Sequence, residues 1–172
     1  VLDNNFPTKE DKVIIGGNFV RWYGGFNSYM VALHYELPIW APSMGRKKDD
    51  ENNVDGLNHL PYLSWKDWIY KLSEFKYAVH LNPNTIGGTF SLNCAFLGIP
   101  CIGNVHQNTQ RLCFPDLSIE PHDLKKAKKL VKNIRNNEDF YVNYSGEAKI
   151  LYKKHFSEEM YLKQWEMIKG KI

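Results

Sequence analysis

The 172-residue sequence lacks most of the features that mark specialised classes of protein. Its cysteines are few: Cys94, Cys101 and Cys113 are odd in number and have no C-x-x-C spacing. That argues against a disulfide framework and against a structural zinc site, and a reducing, cytoplasmic setting is the expectation. No run approaches the roughly 18 to 20 apolar residues of a membrane span, and the opening residues lack the basic-then-apolar order of a secretory signal. Excess charge is missing too. A net charge of +3 is too small to imply a nucleic-acid partner, which needs lysine and arginine clustered over a whole face. There is no internal repeat and no low-complexity tract. The chain opens on Val1 rather than methionine, and residues 1–11 are polar and unpatterned, so an excised or processed piece is expected.

What is present suits one ordinary α/β domain. With 43% hydrophobic residues, a chain of this length can bury roughly two-thirds of its unfolded surface around one core. Residues 12–17 (KVIIGG) read as a central strand entering a tight turn. Phe26, Met30, Leu33 and Leu37 follow at helical spacing, stopped by Pro38. Residues 39–41 form a weak strand, 46–55 a solvated loop and 57–60 a short strand. Ser64 then caps a helix with Trp65, Trp68, Ile69 and Leu72 on one face. Residues 77–81 (YAVHL) are the next strand, 89–97 a small apolar helix closed by Gly98, and 99–103 (IPCIG) the following strand. After a strand at 117–120, a helix is expected from Pro121 to Arg135, with Leu124, Ala127, Leu130, Val131 and Ile134 inward. Its lysines, 125, 126, 128, 129 and 132, read as a solvated face rather than a phosphate or membrane surface. Two helical stretches, 138–144 and 146–155, precede a final helix opened by Ser157, with Phe156 and Tyr161 as a hydrophobic staple. Strands alternating with helices over such short links predict a doubly wound, Rossmann-like parallel sheet covered on both faces.

In such a sheet ligands bind beyond the carboxyl ends of the strands. The loop 82–93 (NPNTIGGTFSLN) offers close backbone approach at Gly87 and Gly88. The free N–H groups at the start of the Thr89 helix could bind a diphosphate, although a plain glycine turn fits the same residues. The loop 16–25 (GGNFVRWYGG) contains Gly17 and Arg21; Arg21 is either a phosphate ligand or a surface side chain stacked on Trp22 or Tyr23. His80 reads as a strand-end core histidine or as a group near the site. His106, with Asn104, Gln107 and Asn108, forms a polar lip after the IPCIG strand, over the same edge of the sheet. Cys94 and Cys101 read as small buried residues.

Residues 77–100, YAVHLNPNTIGGTFSLNCAFLGIP, resemble the C-terminal, donor-binding domain of retaining glycosyltransferases of the GT-B fold, of the group 1 or family 4 kind. There a strand leads to a loop with Glu, seven residues, Glu, and a small-residue helix ending in Gly-x-Pro. Gly88 falls on the glycine inside that motif and Gly98-Ile99-Pro100 on its close. KVIIGGNF with Gly24-Gly25 is similar to the first strand and glycine loop of such domains, and the helix after Ser157 to the one that crosses toward the partner domain. The two glutamates fall on Thr85 and Asn93. Asn93 can still hydrogen-bond a ribose diol, or be simply solvated, and Thr85 can bond a hydroxyl; neither supplies charge or a general base. The resemblance further implies that a basic residue near Arg21 meets the pyrophosphate, without the usual lysine, and that Pro61 and Tyr62, in the loop 60–64, line the base.

The sequence thus predicts a single nucleotide-sugar-binding domain over 1–172, the C-terminal half of a GT-B fold. Its partners would be a nucleotide-diphospho-sugar as donor substrate and an N-terminal acceptor-binding domain of the same protein. No metal and no further cofactor is expected, no catalytic residue is assigned, and a peripheral membrane contact is compatible with the reading. The alternative is a degenerate, non-catalytic half-domain acting as a protein-interaction module.

Overall fold

The computed structural model describes residues 5–20, 22–43, 49–85 and 88–170. Six strands make one parallel sheet: β1 (Glu10–Ile15), β2 (Ile39–Ala41), β3 (Leu57–His59), β4 (Phe75–His80), β5 (Cys101–Asn104) and β6 (Ser118–Ile119). Their order is β3-β2-β1-β4-β5-β6. The two most apolar strands are central, as continuous burial on both faces requires. In β1, Val13, Ile14 and Ile15 are fully buried, in register with Tyr77, Ala78 and Val79 of β4. Lys12 closes the amino end of that pair through Glu74, Nζ to Oε2 at 2.7 Å.

Seven helices connect and flank the strands among the described residues: α1 (Gly25–Ala32), α2 (Trp65–Ser73), α3 (Thr89–Leu97), α4 (Asn108–Cys113), α5 (Leu124–Asn136), α6 (Glu138–Phe156) and α7 (Glu158–Lys169). The chain winds outward from β1 through β2 to β3, then returns to β4 and winds the other way to β6. Right-handed crossovers place α1 and α3 on opposite faces of the sheet. Accordingly α1 packs with α5, and α3 packs with α2, α4 and α6.

The expected doubly wound parallel sheet is the observed one, and several elements differ in detail. Pro121 precedes α5 instead of opening it, because Asp123 caps the helix by accepting the Lys126 N–H. The stretches expected as two helices are one, α6, which runs through Gly146. Asn108, expected in a polar lip with Asn104, His106 and Gln107, is the first residue of α4. Trp65 is largely exposed, so the inner face of α2 belongs to Ile69 and Leu72, with Trp68 half-buried. Of the loop 46–55, residues 46–48 lie outside the described residues; Asn52, Asn53 and Asp55 are exposed as expected, but Glu51 is fully buried and its Oε1 accepts the Phe19 N–H at 2.8 Å. Ser157 caps α7 as expected, but Tyr161 points to solvent.

No helix among the described residues is long and apolar enough to cross a membrane.

Candidate functional site

The strand order reverses between β1 and β4, so the loops leaving their carboxyl ends diverge and open a crevice. Gly16 continues β1 and donates its N–H to Val79 O at 2.8 Å. A Cβ there would stand 2.3 Å from His80 Cδ2, so the closeness of the β1 and β4 ends depends on glycine. On the next turn Gly24, at φ 63°, lies against Leu81 O and Pro83, where a side chain would collide.

Helix capping differs along this edge of the sheet, where α2 and α5 also begin. Ser64, Asp123, Asn137 and Ser157 cap α2, α5, α6 and α7 with their side chains. The helices α1, α3 and α4, each of which follows a strand at the carboxyl edge, have no side-chain cap. In α3 the N-cap is Gly88, whose extended backbone leaves the first-turn N–H groups without a side-chain acceptor. The α3 N-terminus is therefore an electropositive end bordering the crevice.

A pocket of about 190 Å³ opens beside it. Gly16 and the Thr89, Phe90 and Asn93 side of α3 form one boundary; Pro42 and Ser43 after β2, Leu60, Pro61 and Leu63 after β3, and Trp68 of α2 form the other. One wall is largely apolar, and the opposite wall presents a helix N-terminus and the polar Asn93.

Of the residues singled out from sequence, Pro61, Thr89 and Asn93 line this pocket, and Gly88 precedes Thr89 as the N-cap of α3. Gly17 is buried beside Gly16, packed under Tyr23. Thr85 is exposed on the loop, and Tyr62 projects into solvent, 80% exposed, outside the pocket lining. Arg21 and Gly87 lie outside the described residues. His106 stands away from the pocket, its Nε2 at 2.8 Å from Glu120 Oε2.

The expected polar lip has another task. Asn104 Nδ2 donates to Asn82 O at 2.8 Å, and Gln107 Nε2 donates to Asn84 O at 3.0 Å. Thr109 Oγ1 donates to Gly88 O at 3.2 Å and lies 3.0 Å from Ser91 Oγ. Asn104 and Gln107 are almost fully buried, so these bonds act as a strut from the end of β5 and the start of α4 to Asn82, Asn84 and Gly88. Pro42, Ser43 and Trp68 were missed as pocket residues. Pro42 and Ser43 follow a strand at the carboxyl edge, the signal that picked out the other loops; Trp68 had none, since its spacing fits a plain helix face.

Among the described residues no three His, Cys, Asp or Glu side chains gather as a metal site would require.

No protein-family model matches the sequence, and no curated protein does. Solved structures do match. The pneumococcal O-GlcNAc transferase GtfA, in complex with UDP and GlcNAc, is similar over 98% of this chain and 37% of its own, with 10% identity and a TM-score of 0.73. Sucrose-phosphate synthase from Thermosynechococcus elongatus is similar over 96% of this chain and 46% of its own, with 16% identity and a TM-score of 0.69. The C-terminal domain of the group 1 glycosyl transferase LpcC from Francisella tularensis is similar over 89% of each chain, with 11% identity and a TM-score of 0.66. The chain spans a little over a third of GtfA, and nearly all of the LpcC domain. Strand order, glycine turns and these likenesses agree: the chain has the fold of the C-terminal domain of the GT-B glycosyltransferases.

Proposed function

We propose that this chain is the donor-binding half of a glycosyltransferase and holds a nucleotide-diphospho-sugar in the crevice between β1 and β4. The observation that carries the reading is the pocket that brings Gly16, Pro61, Thr89 and Asn93 together at the reversal of strand order. Its apolar wall of Leu60, Pro61, Leu63 and Trp68 suits a nucleobase, the Asn93 amide suits ribose hydroxyls, and the α3 N-terminus suits a diphosphate. The UDP in the GtfA complex and in that of S. aureus TarM is in keeping with this class of ligand.

In the transfer step an acceptor hydroxyl bonds to the sugar as the bond from the sugar to the diphosphate breaks; the electron pair stays on the leaving diphosphate, where negative charge gathers, and the hydroxyl proton passes to that diphosphate or to solvent. N–H groups fixed at the start of α3 stabilise that charge without having to reorganise. Arg21 and Gly87 are assigned to the same role on the family pattern. Asn93 and Thr85 are uncharged, so general-base work is assigned to neither. The acceptor belongs to an N-terminal domain of the same protein, consistent with a chain that spans just over a third of GtfA.

Titration calorimetry of the 172-residue chain with uridine, guanosine and adenosine diphosphate sugars tests the proposal. Weak binding of at least one, without sugar transfer, is expected. No heat of binding from any of them at millimolar concentration overturns it.

A further inference from the structure

His80 ends β4 at the reversal point, and its imidazole is wedged between the two segments that border the crevice. Only 4% of the residue is exposed. Its Cδ2 and Cγ occupy the space into which a Gly16 Cβ would project, and Cε1 lies 3.8 Å from where a Gly88 Cβ would stand. The ring edge between Cδ2 and Cε1 carries Nε2, so that nitrogen is turned toward the gap between Gly16 and the start of α3. Nδ1, on the other side, is buried without a partner, and the ring makes no hydrogen bond among the described residues. Its aromatic neighbour is Phe90 of α3, with centroids 5.0 Å apart.

A strand-end residue that served packing alone would be better as leucine or phenylalanine, which fill space without stripping two nitrogens of water. Burial pushes the imidazole pKa down to about 4, so the ring is neutral near pH 7 and has one N–H. On Nδ1 that proton would be an orphaned donor in the core, which is rarer than an unmet lone pair. The proton therefore belongs on Nε2, the nitrogen that faces the crevice.

We propose that His80 is a further ligand-binding residue of this site, its Nε2–H donating to a diphosphate oxygen of a nucleotide held at the N-terminus of α3. The inference rests on the proposed donor site and adds a residue to it. Neutral imidazole supplies a directional donor beside the backbone N–H groups of an uncapped helix, and the anion accepts from an Nε2–H that has no acceptor among the described residues.

The 172-residue chain is titrated with UDP, GDP and ADP as wild type and as His80→Phe, His80→Gln and His80→Asn, with circular dichroism confirming the fold of each variant. The amide nitrogen of Gln reaches near the position of Nε2, and that of Asn near Nδ1. Affinity for the best diphosphate should fall roughly ten- to a hundred-fold in His80→Phe, the weight of a hydrogen bond to a charged group. The loss should be largely restored by Gln and not by Asn. Equal affinity in wild type and a folded His80→Phe overturns the role of His80 and leaves the donor site standing. A wild type that binds none of the three overturns the site and the inference together. Should His80→Phe not fold, imidazole nitrogen resonances of the wild type decide: Nε2 should move when a bound diphosphate is added, and an unmoved Nε2 overturns the inference.

Discussion

A hydrogen is the largest side chain that position 16 tolerates, because the His80 ring already stands where a Cβ would go. The same burial makes His80 a source of pH dependence. Its imidazole titrates near 6.5 in an unfolded chain and at about 4 in the folded one, with desolvation as the cause and no neighbouring charge contributing. Between those values the unfolded state holds more protons, so stability is retained above pH 6.5 and falls as the pH drops toward 4. The loss should approach about 3 kcal/mol across the window. Urea unfolding of wild type and of His80→Phe, at steps from pH 7 to 4.5, checks this. The wild type should lose more stability than the variant over that range, and parallel curves would show that the buried ring does not titrate as described. The close fit of Gly16 and His80 was illegible in the sequence because 64 positions separate them and strand pairing alone brings them together. Gly88 and Thr89 were legible from local pattern, a glycine turn entering a helix after a strand, whereas Asn93 and Pro61 were picked out through the family motif. Glu51 was hidden by its loop of charged and amide residues, where nothing local signals burial.

At the level of elements, α3 and β2 have the bounds that spacing predicts, because glycine and proline punctuate both ends. Boundaries failed where two signals competed. Pro121 suits a first helical turn, yet Asp123 two residues on supplies a side-chain oxygen for an orphan N–H and sets the true start. Gly146 reads as a break, but the helix propensity it lacks is supplied by its neighbours: Tyr141 and Ala148 are buried on either side of it and hold α6 straight through. Tertiary packing overrides a cost of that size. A Cβ at Gly146 meets nothing within 4 Å, so the glycine has no packing reason to be there. Gly146→Ala should therefore stabilise the domain by about 0.5–1 kcal/mol, read as a rise in urea midpoint with an unchanged slope. A lower midpoint would mean that α6 is bent or crowded at this position.

For the whole molecule, the reversal of strand order fixes where a ligand can sit before any side chain is considered, and the core that supports it lies between β1, β4 and the helices on either face. The last helix is outside that arrangement. None of the residues of α7 is buried, and Tyr161, Leu162, Trp165 and Ile168, spaced so as to share one side of the helix, are all exposed. Its main tertiary contacts are with α6, and no residue of α7 lines the pocket. Under the proposed function this side of α7 belongs against the N-terminal half of the enzyme, and its contribution to the present domain is small. Removing residues 158–172 should accordingly change the free energy of unfolding by less than about 1 kcal/mol, since surface positions outside a core contribute little. Nucleoside diphosphate affinity should be unchanged, because no lining residue is lost. Urea unfolding and calorimetry on the truncated chain measure both quantities. A loss of several kcal/mol would place α7 in the folding unit of the sheet, and a loss of affinity with stability retained would place it in the site.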